Sequence, residues 1–399
     1  MALSITRDTK DITFARSPQF VLASEDDTTN THFILELFIW SGGKTAPPST
    51  PQQTFQVNSF VDQNQLATRS ANIEISEALQ VYLEDFLPDP TSTAVQYNMG
   101  SAVWYRYQIT SNLTTTPLVS STKLAVNGYG LYTEGINPGT TVAEQNEKPF
   151  GSFPTFQYLS NSGQYFIPVY VGDNSANFEI DGTFLDNTSF GGEFLTDLSL
   201  SVNSPSSNFQ IAYIPFGILG YGDLAASNKL FVGNEIINFK ILTLTSTAAN
   251  VANYRMDVEC TKEIGHNLTF VARDGMYQYI PLLGRVNFSI ATRVVEYQNR
   301  SLDLTQIQNA FDPARHVDRT FNTFTSESAV VNTGNISQES QKLLIELMSS
   351  QLIFLTTSTE IIPVNITNRN VNLANIKFDQ IVNYTLNLSV SRPHINNLS

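Results

Sequence analysis

Tyr384-Thr-Leu386-Asn-Leu388-Ser-Val390 alternates apolar and polar residues with a period of two, as an antiparallel strand does when one face is buried and the other meets water. Two neighbouring runs, Leu352-Ile-Phe-Leu355 and Ile361-Ile-Pro-Val-Asn-Ile366, are β-branched and aromatic and predict two more strands. Ahead of them the period changes. Leu343, Leu344, Leu347 and Met348 fall on one helical face, Ser337 stands where an N-cap belongs, and Glu339 lies in the first turn, where a carboxylate suits the helix dipole. The spacing predicts one short amphipathic helix over 337–350. Before it, Phe321-Asn-Thr-Phe324 and Ala329-Val-Val-Asn-Thr-Gly334 read as extended segments ending at a glycine turn. This terminal stretch is therefore a β module with one helix. It holds no catalytic signature, so its expected work is packing and assembly.

The same period recurs upstream. Phe20-Val-Leu-Ala-Ser24, Phe33-Ile-Leu-Glu-Leu-Phe-Ile-Trp40 and Thr54-Phe-Gln-Val57 predict strands, and a proline-rich loop, Ala46-Pro-Pro-Ser-Thr-Pro51, separates the last two. Ile73-Glu-Ile75 leads into a short helix opened at Ser76 and broken by Pro88 and Pro90. Val103, Tyr105, Tyr107 and Ile109 alternate with Trp104, Arg106 and Gln108, and Asn127-Gly-Tyr-Gly130 follows Lys123-Leu-Ala-Val126 as a turn. Periodicity lapses from Gly135 to Gly151. Strand signals return at Tyr165–Val171, Asn177–Ile180, Asn208–Ile214, Phe239–Leu244 and Tyr254–Cys260, then at Asn267–Val271 and Tyr277–Ile280 around an Arg273-Asp-Gly275 hairpin turn. Val286, Phe288 and Ile290 alternate once more, and Leu302–Ala310 reads as a helical turn.

At about 150 residues per domain, 399 residues predict more than one core. The expected architecture is all-β and multi-domain: a β-sandwich over 1–147, a second over 148–264, both immunoglobulin- or fibronectin-like, and a β module over 265–399 that carries the helix. Composition agrees, since 26 Phe and 16 Tyr suit pleated, half-buried surfaces.

A net charge of -14, with 22 scattered Lys and Arg, argues against nucleic acid as a partner. No apolar stretch reaches the roughly 18 residues of a membrane span, and the first residues lack the pattern of an export signal. The single cysteine, Cys260, excludes an internal disulfide and reads as a small buried strand residue. His32, His266, His316 and His394 are in no metal-ligand spacing, and no phosphate loop, dinucleotide fingerprint or nucleophile elbow occurs. No catalytic, cofactor or metal site is expected. Glu134, Glu193 and Asp197 can be nominated for glycosidic hydrolysis and Trp40, Trp104 and Tyr129 for a sugar platform, but solvated carboxylates and core aromatics are the simpler readings.

Several patches in order carry a resemblance: Phe14-Ala-Arg-Ser-Pro18; Glu36-Leu-Phe-Ile-Trp40 before the proline loop; Ile75-Ser76; Asn127-Gly-Tyr-Gly130 with Glu134-Gly135; Glu259-Cys-Thr-Lys262 before Leu268-Thr-Phe270; Asp274-Gly275; Ile361-Ile-Pro-Val364; and Val382-Asn-Tyr-Thr-Leu386. Together they resemble tail-associated structural proteins of tailed phages and prophages of Bacteroidota-type bacteria. The resemblance implies a non-enzymatic tail, baseplate or tail-tip component, made in the host bacterial cytoplasm and incorporated in the virion. Its implied partners are other tail proteins and further copies of itself. The alternative expectation is a receptor-recognition module that binds host-surface glycan.

Overall fold

The computed structural model describes residues 2–62, 65–89, 92, 96–97, 100–146 and 150–151, short strand segments between 156 and 257, then 266–298, 318–334, 336–337, 340–357, 360–369 and 381–392. The strand expected at Asn177–Ile180, the helical turn at Leu302–Ala310, and Cys260, Glu193, Asp197, His316 and His394 lie outside the described residues.

The first part is two sheets face to face. Its main strands are β1 (Ile12–Phe14), β2 (Phe20–Glu25), β3 (His32–Trp40), β4 (Gln65–Glu74), β5 (Ala102–Ser111) and β6 (Lys123–Val126), with helix α1 (Ser76–Gln80) after β4. β2 and β4 are central in the smaller sheet. The larger sheet has the order Gly139–Thr140, β1, β6, β5, β3, Gln53–Asn58. Its β1–β6 pair is parallel, and β6–β5 and β5–β3 are antiparallel. Between the sheets the alternating residues interdigitate: Val21 and Ala23, Ala71 and Ile73, Phe33, Leu35 and Leu37, and Val103, Tyr105, Tyr107 and Ile109, with Ala78 and Leu79 of α1 packed into the same cluster.

The larger sheet is buried on its second face as well, which alternation alone does not reveal. Phe14, Phe38, Trp40, Trp104, Leu124 and Val126 pack against Phe150, against Phe166 and Tyr170 of β7 (Gln164–Tyr170), and against Ile211 and Tyr213 of β8 (Ile211–Gly217). Val271, Met276 and Tyr277 complete this cluster from the last part of the chain. Three sequence regions thus share one core.

That last part is an antiparallel sheet of β9 (His266–Val271), β10 (Tyr277–Leu282), β11 (Val286–Gln298), β12 (Asp318–Asn332), β13 (Ile353–Thr356), β14 (Ile361–Ile366) and β15 (Thr385–Val390). The order across it is β10, β9, β13, β14, β15, β12, β11. The two ends approach each other: as the chain leaves β10, Leu283 N–H donates to Thr333 O and Gly284 N–H to Asn332 O, both at 3.2 Å. The curled sheet encloses Leu268, Phe270, Ile280, Leu282, Val331, Leu355, Val364, Leu386 and Leu388. Helix α2 (Gln341–Ser349) adds Leu343, Leu344 and Leu347 to that core, with Met348 partly buried beside them.

The all-β class, the sandwich and the C-terminal β module with one short helix match expectation. The helix boundary is corrected. The helix begins at Gln341, not 337, because Ser337 pairs with Ile381 in a short antiparallel bridge, and Ser340 precedes the helix without a side-chain cap bond. Burial of the leucine face, rather than a cap, holds this nine-residue helix in place.

Candidate functional site

The nominated residues do not converge. Trp40 and Trp104 are buried on the second face of the larger sheet, and their Nε1–H groups donate to Gly43 O and Gly42 O at 2.9 Å, so neither ring offers a sugar platform. Glu134 is ion-paired to Arg273 at 2.5 Å. His32 Nδ1 lies 3.0 Å from Thr31 Oγ1, and His266 stacks obliquely near Phe288 with ring centroids 6.3 Å apart. Among the described residues no group of three or more His, Cys, Asp or Glu side chains could hold a metal ion.

Three arrangements remain. The first is a buried polar knot that sequence reading missed. Lys123, 2% exposed, pairs with Asp8 and donates to Thr9 O at 2.6 Å and Thr9 Oγ1 at 3.1 Å, so its three protons are matched by three acceptors. Tyr107 donates to Asp8, and Tyr105 OH lies 2.7 and 2.6 Å from the Thr9 and Thr13 hydroxyls. Burial lowers the Lys123 pKa against the opposing pull of Asp8, and burial raises both tyrosines. Every group here is partnered within the knot, which ties the N-terminal segment to β5 and β6. Its role is structural.

The second is a joint between the sandwich and the C-terminal module. The turn Asn127–Gly130 meets the turn Arg273–Gly275: Tyr129 N–H donates to Arg273 O at 2.6 Å, and Arg16 N–H donates to Gly128 O at 2.9 Å. Both glycines at the contact are needed. A Cβ on Gly128 would sit 2.8 Å from Arg273 O, and one on Gly275, whose φ is +82°, would sit 2.4 Å from Asn127 C. Arg273 reaches Glu134 and lies over the Phe14 ring, while its N–H donates to Glu346 Oε2 of α2 at 3.3 Å. Asp274 is buried and accepts from Met276 N–H at 3.2 Å; its carboxyl is pushed up to about 7, first by burial and then by the neighbouring Glu346 charge. The glycine turns were legible as turns, but not that they dock on each other.

The third is an arm. β11 and β12 pair along their whole length, yet β15 reaches only Ser328–Asn332 of β12. Beyond that point, among the described residues, the two strands form a ribbon without a third. Every residue from Asn287 to Gln298 is exposed, including Phe288 (52%), Ile290 (57%), Val294 (43%) and Tyr297 (46%). An isolated two-stranded ribbon is marginal in water. An apolar, sparsely charged one this long marks a contact surface.

No protein-family model matches the sequence, and no curated protein does. Among solved structures the chain is similar to CBD12 from CALX1.2, at 8% identity and a TM-score of 0.20 over 62% of this chain and 84% of that one. It is also similar to the periplasmic chaperone SfaE, at 11% identity and a TM-score of 0.18 over 64% of this chain and 100% of the other. At those scores neither likeness carries an argument about this chain.

Proposed function

We propose that this protein is a non-enzymatic structural component of a tailed bacteriophage, built into the tail, baseplate or tail tip as a symmetric oligomer. The observation that carries the reading is the β11–β12 arm, which leaves Ile290, Val294 and about half of Phe288 exposed to water, where a lone chain gains little from them. Assembly partners supply the missing burial. The resemblance of the ordered patches to tail-associated proteins supplies the setting, and the shared core of three sequence regions supplies a stiff body from which an arm can act. The glycan-binding alternative loses two of its nominated platform residues, because Trp40 and Trp104 are inside the protein.

The test is to locate the chain in an electron-microscopy map of the intact particle, with density at the tail as the expected result. Particles that lack the chain would overturn the reading. Incubation with host-surface polysaccharide should release no oligosaccharide, and turnover abolished by one carboxylate substitution would overturn its non-enzymatic part.

A further inference from the structure

We infer that β11 pairs edge to edge with β11 of a second copy of this chain, antiparallel about a twofold axis centred on Thr292, so that two arms fuse into one four-stranded sheet. The inference rests on the assembly reading above and names its partner. Three observations select a second copy.

The first is the edge itself. β11 ends the sheet order, its 13 residues contain no Pro and no Lys, and its register irregularity places the extra residue on β12 rather than on β11. Natural edges are normally shortened, charged or bulged to prevent pairing; this one is long, carries no bulge of its own, and has only Arg293 and Glu296 as charges, which cancel.

The second is charge. The chain carries -14 overall, while Val286–Gln298 holds only Arg293 and Glu296 and is neutral. Two like-charged bodies repel wherever acidic surfaces meet, so self-association is cheapest through a neutral strand. Thirteen residues at about 3.3 Å each hold the two bodies at opposite ends of the paired arms, several Debye lengths apart.

The third is self-complementarity. A twofold axis normal to a sheet keeps each face with its own kind, so opposed residues have an even numerical sum. Full overlap of Val286–Gln298 with its copy centres the axis on Thr292. Ile290 then faces Val294 of the second copy, twice, on either side of a Thr292–Thr292 pair. On the other face Val295 meets Ser289, Tyr297 meets Asn287, and Arg293 meets Ala291. Phe288 meets Glu296 on the first face, an apolar–charge pair that adds nothing; no like charges oppose each other, and the Ile290–Val294 and Thr292–Thr292 pairs are of the stabilising kinds. Moving the axis by one residue to 293 would set Arg293 against itself.

The experiment uses the full chain with Cys260→Ala, which removes the only native thiol. Directly opposed Cβ atoms in an antiparallel pair lie within disulfide reach. Thr292→Cys should therefore oxidise to a covalent dimer. Ser289→Cys alone should not, whereas Ser289→Cys combined with Val295→Cys should. In sedimentation, Ile290→Lys with Val294→Lys should weaken dimerisation at least tenfold with an unchanged melt, since both positions are exposed. Mixing that variant with Ile290→Glu/Val294→Glu should restore it. A chain that stays monomeric at tens of micromolar, or that crosslinks equally through Ser289→Cys and Thr292→Cys, overturns the pairing. If the lysine variant is monomeric like the parent and yet is lost from particles, β11 serves another virion protein: the pairing falls and the assembly reading stands. A β11 dimer from a chain absent from particles does the reverse.

Discussion

Asp274 offers a test of what holds the sandwich to the C-terminal module. In an open chain its carboxyl would titrate at 3.8, whereas at the joint it titrates at about 7, through burial and the charge of Glu346. The groups facing it are Glu346 on α2, Arg273 beside it and the Met276 N–H, while Glu134 engages Arg273 from the sandwich side. A raised carboxyl pKa means that the folded protein holds the proton more tightly than the unfolded one. Its stabilisation is therefore complete below about pH 4 and is lost as pH rises through about 7. At about 1.4 kcal/mol per pH unit, the ionised carboxylate costs the folded state on the order of 4 kcal/mol at pH 8. Asp274→Asn cannot ionise and keeps an oxygen for Met276 N–H. Denaturant melts at pH 5, 6, 7 and 8 should show the parent losing stability with rising pH and the variant nearly flat over the same range. At pH 8 the variant should be the more stable. Asp27, whose carboxyl is held below its ordinary value by its bonds to Thr29, acts below 3.8, outside this window. If the variant is less stable at pH 8, or keeps the parent's slope, then desolvation of Asp274 is not what opposes docking, and Arg273 satisfies the carboxylate after all.

The remaining predictions concern packing. Gly275→Ala forces a Cβ to within 2.4 Å of Asn127 backbone at a φ of +82°, so it should lower the melting temperature by several degrees and raise protease sensitivity at the joint. Leu347 is fully buried in the C-terminal core: Leu347→Ala should cost about 2–5 kcal/mol in a denaturant melt, and Leu347→Asp should give insoluble protein. Tyr105→Phe removes a hydroxyl that bonds both Thr9 and Thr13, and should cost roughly 1–3 kcal/mol without moving the neighbouring strands, readable by melting and amide exchange.

Much of this was written in the period of the sequence. Tyr384–Val390 alternates in burial as it alternates in polarity, and Leu343, Leu344 and Leu347 face the core as their spacing requires. Two things defeated local reading. Ser337 has the chemistry of a cap, but a strand bond to Ile381, distant in sequence, claims its backbone first. The Val103–Ile109 run has one obvious apolar face, and nothing in it announces that Trp104 on the opposite face meets β6 and the middle segment. The arm is a third case. Val286, Phe288 and Ile290 alternate as a core strand would, and period two does not distinguish a face turned to the chain's own core from one turned to a partner. Only Val286 touches the core, and the two residues that follow in the alternation are in water.

The arm's root fixes how two copies can meet. Gly334, at a φ of +66°, would drive a Cβ to 2.7 Å from Leu283, and a Cβ on Gly284 would lie 2.5 Å from Asn332 Oδ1, so the link between β10 and β11 packs tightly against the end of β12. Asn332 Oδ1 also accepts from Gly334 N–H at 2.7 Å. A stiff root gives the ribbon one direction from the body, and edge pairing then yields one relative orientation of two chains. Such a contact is isologous and closes after two copies, whereas a ring around a tube grows through a contact that joins unlike surfaces. Pairing through β11 therefore narrows the proposed placement: chains set on the tail as twofold pairs, with any larger ring built by a second surface on the body. In a particle map the mark of this arrangement is a local twofold axis through a four-stranded sheet between adjacent bodies. Copies related only by the tail axis, with their arms on unlike surfaces of their neighbours, would keep the arm as an assembly element and remove its pairing with itself.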